Sequence, residues 1–187
     1  MGEIVAIVSS PHNDGNTTAI VNAITDGAMG LSTNIIRLFR LTKLKSKCGC
    51  QGCYRCKSTG RCVLDDDISE VLDRIRVADC VIFSTPVFFG ERCAQYRILE
   101  DRMFSFLDGN IETNLAPGKK AILVATCSGP VEAADTVLDR MSTIVSSLGF
   151  EVMDRIAYSD KGGSEPASGN SDILSRSKAV GLKLRNT

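Results

Sequence analysis

The sequence has no tryptophan, and phenylalanine and tyrosine together supply only 5% of its 187 residues. It has one histidine, and no paired carboxylates stand in a candidate cleft, so no side chain offers itself as a catalytic acid or base. Net charge of either sign is also missing. Acidic and basic residues balance at 22 each, which points to neither nucleic acid nor a membrane surface as partner. No apolar run approaches the ~18 residues of a membrane span. The opening "MGEIVAIVSS" is too short and too acidic for a signal peptide, and Ala6 stands where a myristoylation pattern wants Ser or Thr. The chain shows no linker, internal repeat or composition break, so residues 1–187 read as a single cytoplasmic domain.

What the chain has in excess is local. Of eight cysteines, five lie in "CGCQGCYRCKSTGRC" (48–62). From Ala28 to Leu64 there is no Asp or Glu, while Arg37, Arg40, Lys43, Lys45, Lys47, Arg55, Lys57 and Arg61 all fall there. A reducing compartment makes clustered thiols better suited to metal or redox chemistry than to structural disulfides.

Elements alternate along the chain. "EIVAIVSS" (3–10), "CVIFSTP" (80–86) and "KAILVATC" (120–127) are short apolar runs expected of strands buried on both faces. "NIIRLFRL" (34–41) and "FEVMDRIAYS" (150–159) read as two further strands. Helical spacing of apolar residues follows at 17–29, 67–78 (opened by an Asp cap), 93–107 and 131–149, with a closing helix at 172–185. Strand–helix alternation gives a parallel sheet covered on both faces. Five strands in this length suit the doubly wound flavodoxin-like α/β fold, strand order 2-1-3-4-5. The inserted cysteine-rich loop, 45–65, is long for that architecture, and such loops usually carry function.

"SSPHNDGNTT" (9–18) joins a buried strand to a helix N-terminus, where free backbone N–H groups favour an anion. Ser9, Ser10, Asn16, Thr17 and Thr18 could hydrogen-bond phosphate oxygens, or could simply cap the helix. The loop lacks the lysine of a P-loop, and no G-x-G-x-x-G occurs in the chain. A nucleoside triphosphate or a dinucleotide is therefore disfavoured, and a phosphate monoester such as that of FMN fits. "STPVFFGE" (84–91) gathers Pro86, Val87, Phe88, Phe89 and Gly90, which suit a flat ring. "ATCSGPVE" (125–132) places Thr126, Cys127, Ser128 and Gly129 where they could close its other side.

These stretches carry a resemblance. "SSPHNDGNTT", "TPVFFGERCAQYRILEDR" and "GRCVLDDDI" resemble the phosphate loop, ring loop and post-cysteine segment of the flavodoxin-like NADPH-dependent FMN reductase family, over roughly residues 3–157. The resemblance implies FMN, with Ser10, His12, Asn16, Thr17 and Thr18 at the phosphate and Pro86 to Gly90 at the ring. His12 stands where that family usually has Arg.

Within the cysteine loop, Cys50, Cys53, Cys56 and Cys62 form C-x₂-C-x₂-C-x₅-C. The first three repeat the opening of the bacterial ferredoxin run, so one [4Fe–4S] cluster with four local ligands is the economical reading. The same spacing resembles the iron–sulfur flavoprotein branch of the family, which implies a [4Fe–4S] cluster and a homodimer or homotetramer. A plant-type register through Cys48, Cys53 and Cys56, a zinc site and no metal at all remain open. Cys80 and Cys127 read as core residues, and Cys93 as packing on a helix.

The expected protein is thus a flavin-dependent oxidoreductase moving electrons between a donor, a cluster and FMN. An NAD(P)H-dependent FMN or quinone reductase without a cluster is the second reading, and a zinc-stapled binding module the third. The basic stretch predicts that an acidic electron carrier such as a ferredoxin docks beside Lys57 and Arg61.

Overall fold

The computed structural model describes residues 2–30 and 33–186. In chain order the elements are β1 (Glu3–Val8), α1 (Asn16–Met29), β2 (Ile35–Arg40), α2 (Cys56–Thr59), α3 (Asp67–Val77), β3 (Cys80–Phe88), β4 (Glu91–Arg92), α4 (Ala94–Arg102), β5 (Lys120–Cys127), α5 (Val131–Ser147), β6 (Glu151–Ser159) and α6 (Ser171–Leu182). Five strands pair in parallel in the order β2-β1-β3-β5-β6. That is the expected order once the two-residue β4 is set aside. β4 is the one unanticipated strand, and it pairs antiparallel with the end of β3. No helix among the described residues is long and apolar enough to cross a membrane.

Strand residues alternate between two cores. Val5, Ile7, Val81, Phe83, Leu123 and Ala125 face the side covered by α3, α4 and α5. Ile4, Ala6, Val8, Ile82, Ile122 and Val124 face α1 and α6. Burial on both faces explains why these strands are continuous apolar runs rather than alternating ones. β2, at the sheet edge, leaves Ile35 and Leu38 exposed.

The α1–α6 contact is unusually close because two glycines face it. A Cβ on Gly181 would stand 1.9 Å from the Ile24 carbonyl oxygen, and one on Gly27 would stand 2.2 Å from that of Lys178. Both neighbours are backbone, so neither side can yield without moving a helix. Gly181→Ala should therefore destabilise the fold by about 1–3 kcal/mol, the usual cost of overpacking. Urea unfolding checks this, and an unchanged midpoint would show that α6 does not dock as described.

Candidate functional site at the C-terminal edge of the sheet

Parallel strands all end on one edge, and the loops after β1, β3 and β5 meet there. They enclose a cleft of about 190 Å³ lined by Ser10, His12, Asn16 and Thr17, by Pro86, Val87 and Phe88, and by Thr126, Cys127 and Ser128. Asp160, just after β6, completes the lining and was not foreseen. Larger grooves exist, one of about 390 Å³ beside Cys50 along α4 and α5, but no three strand ends converge on them.

The first loop presents backbone rather than capping side chains. α3 is capped by Asp66, which accepts from the Ser69 N–H, and α6 by Asn170. α1 has Gly15 at this position and no side-chain cap. Instead the Ser10 hydroxyl accepts the His12 N–H at 3.2 Å. The helix-cap alternative for Ser9, Ser10, Asn16, Thr17 and Thr18 is thus not what the loop adopts. Uncapped first-turn amides with the dipole behind them favour an anion.

The individual side chains divide by task. Asn16 donates Nδ2 to Asp160 at 2.7 Å and accepts the Ala167 N–H at 2.8 Å, tying the first loop to the last. The Thr17 and Thr126 hydroxyls bond each other at 2.7 Å, joining the first loop to the third. Ser9 is fully buried beneath the cleft, donating to the Ser84 carbonyl at 2.7 Å and accepting from the Cys93 thiol at 3.2 Å. Thr18 donates to the His12 carbonyl at 3.4 Å and accepts from Arg40, whose guanidinium also holds the Asn13 carbonyl at 3.2 Å. Arg40 thus brings a guanidinium to the first loop from β2, beside the exposed His12. Nothing in the local sequence marks it; only the β1–β2 pairing does. Cys127 lines the cleft, and burial pushes its thiol pKa up, so it stands there as a thiol donating to the Gly129 and Pro130 carbonyls.

The second loop carries strain. Phe89 and Gly90 form a two-residue hairpin turn between β3 and β4, with φ of 52° and 75°. Such turns favour Asn-Gly, and a phenylalanine in the left-handed region is costly. Phe89 is also completely exposed, and Phe88 half so, so no packing contact accounts for either. Phe89, Gly90 and Gly129 stand outside the cleft lining itself.

The cysteine loop lies against the far end of α4. Lys57 donates to the Phe104 and Leu107 carbonyls at 2.8 and 2.7 Å and sits 3.4 Å from the Phe104 ring centroid. Tyr54 meets that ring edge-on at 5.9 Å. Arg102, whose side chain is fully buried, donates to Cys62 Sγ at 3.1 Å, to the Cys48 carbonyl at 3.1 Å and to Asp66 at 2.9 Å. Burial, the largest single influence, would raise the Asp66 pKa, but the hydrogen bond and charge of Arg102, together with the Cys48 and Ser69 N–H groups, outweigh it and hold the carboxyl below its usual range. Lys57 is therefore an internal strut, which corrects its expected place on a docking surface. Arg61 faces solvent beside Asp73 at 3.4 Å.

The donor chemistry here suits iron and sulfide. Cys50 and Cys53 are exposed, Cys62 half-buried and Cys56 buried. Burial raises the Cys56 pKa; Lys57 offsets this, while Cys62, Cys50 and Cys53 lie near enough to add to the rise. Among the described residues, however, no three His, Cys, Asp or Glu side chains form a metal-holding group.

Sheet, strand order and cleft together define a flavodoxin-like α/β protein with its ligand edge at the strand C-termini. The sequence model of the NADPH-dependent FMN reductase family matches residues 3–164, and the chain belongs to that family of flavin-dependent oxidoreductases. An iron–sulfur flavoprotein of Methanocaldococcus jannaschii is 38% identical over 104 residues, 54% of this chain and 51% of its own. One from Archaeoglobus fulgidus is 29% identical over 149 residues, 79% and 69% of the two chains. The chain's match thus spans about half the length of the first of these relatives. Among solved structures, the NAD(P)H:quinone oxidoreductase of Methanothermobacter marburgensis shares the fold, with TM-score 0.76, 16% identity and 98% coverage of both chains.

The strained turn yields a test. Phe89→Asn places a residue suited to positive φ and should stabilise the fold by about 1 kcal/mol. A lower urea midpoint for this variant would show that Phe89 makes a stabilising contact in solution.

Proposed function

We propose that the protein is an iron–sulfur flavoprotein: it binds FMN in the cleft, holds a [4Fe–4S] cluster on Cys50, Cys53, Cys56 and Cys62, and exchanges electrons with an acidic carrier such as a ferredoxin. The observation that carries the flavin assignment is the convergence of three strand-end loops on the uncapped start of α1. In this reading the first-turn amides, Ser10 and Thr17 hold the phosphate, with the Arg40 charge close behind. Asp160, oriented by Asn16, accepts from a sugar-chain hydroxyl. Pro86 to Phe88 lie along the ring, and Thr126 to Ser128 flank it. When bound, FMN supplies the exchange between one-electron and two-electron transfer, and the cluster a one-electron store. The protein positions the flavin and excludes water. The names of the relatives support the cluster. We further propose a homodimer or homotetramer, in which the exposed Phe88 and Phe89 are covered.

A plain NAD(P)H-dependent FMN reductase is the second reading. It is favoured by the cysteine sulfurs, which do not come together as a metal group. Anaerobic purification separates the two. Flavin, iron and acid-labile sulfide together fit the first reading. Flavin alone leaves the second, and neither overturns both. Asn16→Ala with Thr17→Ala should release the flavin from a chain that still folds; full flavin retention would remove the phosphate assignment. For the carrier, Lys45→Glu with Arg55→Glu and Arg61→Glu should slow flavin reduction by reduced ferredoxin at low salt, and added salt should slow the unaltered protein likewise. Salt-independent reduction would sink the docking proposal.

A further inference from the structure

Arg102 is the most deeply buried charged residue among those described. It ends α4, the helix that begins just past the strained turn, so its position is set from the flavin side of the molecule. Its charge is balanced by Asp66, which receives Nη1 at 2.9 Å. Nη1 also reaches the Cys48 carbonyl, and Nη2 the Ser69 hydroxyl, both at 3.1 Å. Nε remains, and it donates to Cys62 Sγ at 3.1 Å. The partner carboxylate meets a different sulfur: Cys48 Sγ donates to Asp66 Oδ2 at 3.6 Å.

The ion pair therefore sorts two neighbouring cysteines by hydrogen-bond polarity. The Cys62 sulfur accepts a charge-assisted hydrogen bond from a cation, a contact that favours a sulfur bearing negative charge on a metal. The Cys48 sulfur instead faces the Asp66 carboxylate, an anion. We propose that Arg102 is a positioning residue that selects Cys62 over Cys48 as the fourth cluster ligand and raises the cluster's reduction potential. The proposal rests on reading the cysteine loop as a cluster site. The physical reason is that reduction adds negative charge to the cluster, and an N–H donated to a ligand sulfur stabilises the more negative form. With the guanidinium shut off from water, that bond is weakly screened. Partners of this kind typically alter metal affinity roughly 10–100-fold when removed.

The test uses the full chain, reconstituted anaerobically with iron and sulfide, and reads iron content, flavin content, and the cluster's midpoint potential by spectroscopic titration. Two variants keep net charge unchanged: Arg102→Lys, and Arg102→Gln paired with Asp66→Asn, in which Asn can still cap α3. Flavin retention reports that each has folded. Both should show a more negative midpoint than the unaltered protein, the neutral pair by more than the lysine variant. The neutral pair should lose iron to a ferrous chelator roughly 10–100-fold more readily. Cys48→Ser should keep its iron and Cys62→Ser should not. An unchanged midpoint in either folded variant, or iron loss in Cys48→Ser but not in Cys62→Ser, overturns the proposal while leaving the cluster in place. An unaltered protein that takes up no iron overturns the cluster reading itself, and the role of Arg102 with it.

Discussion

The pairing of β3 between β1 and β5 is the constraint on which the rest of the molecule hangs. Its first residues, Cys80 to Phe83, are wholly buried by the two cores, so the strand cannot shift register without turning an apolar face to water. Register in turn fixes where the strand leaves the sheet, and the segment after that exit reaches both candidate sites. Pro86 to Phe88 line the cleft, Phe89 and Gly90 turn the chain, and Cys93 reaches back to Ser9 under the first loop. α4 then carries the chain to Arg102 and the cysteine loop. One uninterrupted segment thus sets the position of both candidate sites.

The cysteine loop shows how a long insertion is kept in place with little apolar burial of its own. Only Cys56 among its five cysteines is buried. Its order comes from charged groups working inward: Lys57 on two carbonyls and a ring, Arg102 on a carbonyl, a carboxylate and a sulfur. Hydrogen bonds from charged donors contribute about 1.5–3 kcal/mol each, more than neutral ones. One of these groups, Arg102, also places cationic charge against sulfur, so in the proposed reading anchoring and electrostatic tuning are one arrangement rather than two.

The fold was legible because parallel strands buried on both faces write themselves as apolar runs. β1, β3 and β5 were placed within about two residues from that pattern alone. The three loops of the cleft were legible for a related reason: strand ends in this topology share an edge. What stayed hidden were contacts between elements distant in sequence. Arg102 sits in "LEDRMF", where nothing distinguishes a buried guanidinium from an exposed one. Arg40 reaches the first loop only through the β1–β2 pairing, and Asp160 reaches Asn16 across 144 positions. Ser9 reads in the sequence as a ligand group with its neighbours, but a hydroxyl at a strand end can equally bond the next strand, and this one does. Lys57 reads as surface charge, because a sequence shows a basic run and not the carbonyls that face it.

Three of the departures from local rules fall at the candidate sites. α1 lacks the side-chain cap that α3 and α6 possess, Phe89 occupies backbone space suited to Asn or Gly, and Arg102 buries a charge completely. A chain selected only for stability would correct the first two with single substitutions. In the proposed reading these two serve something outside the fold: free amides for an anion, an exposed ring for a flat ligand or a second subunit. The Arg102 exception differs, since Asp66 already compensates its charge. What the pair adds beyond neutrality is direction, a donor toward one sulfur and an acceptor toward another, and an apolar replacement of equal volume could not supply that.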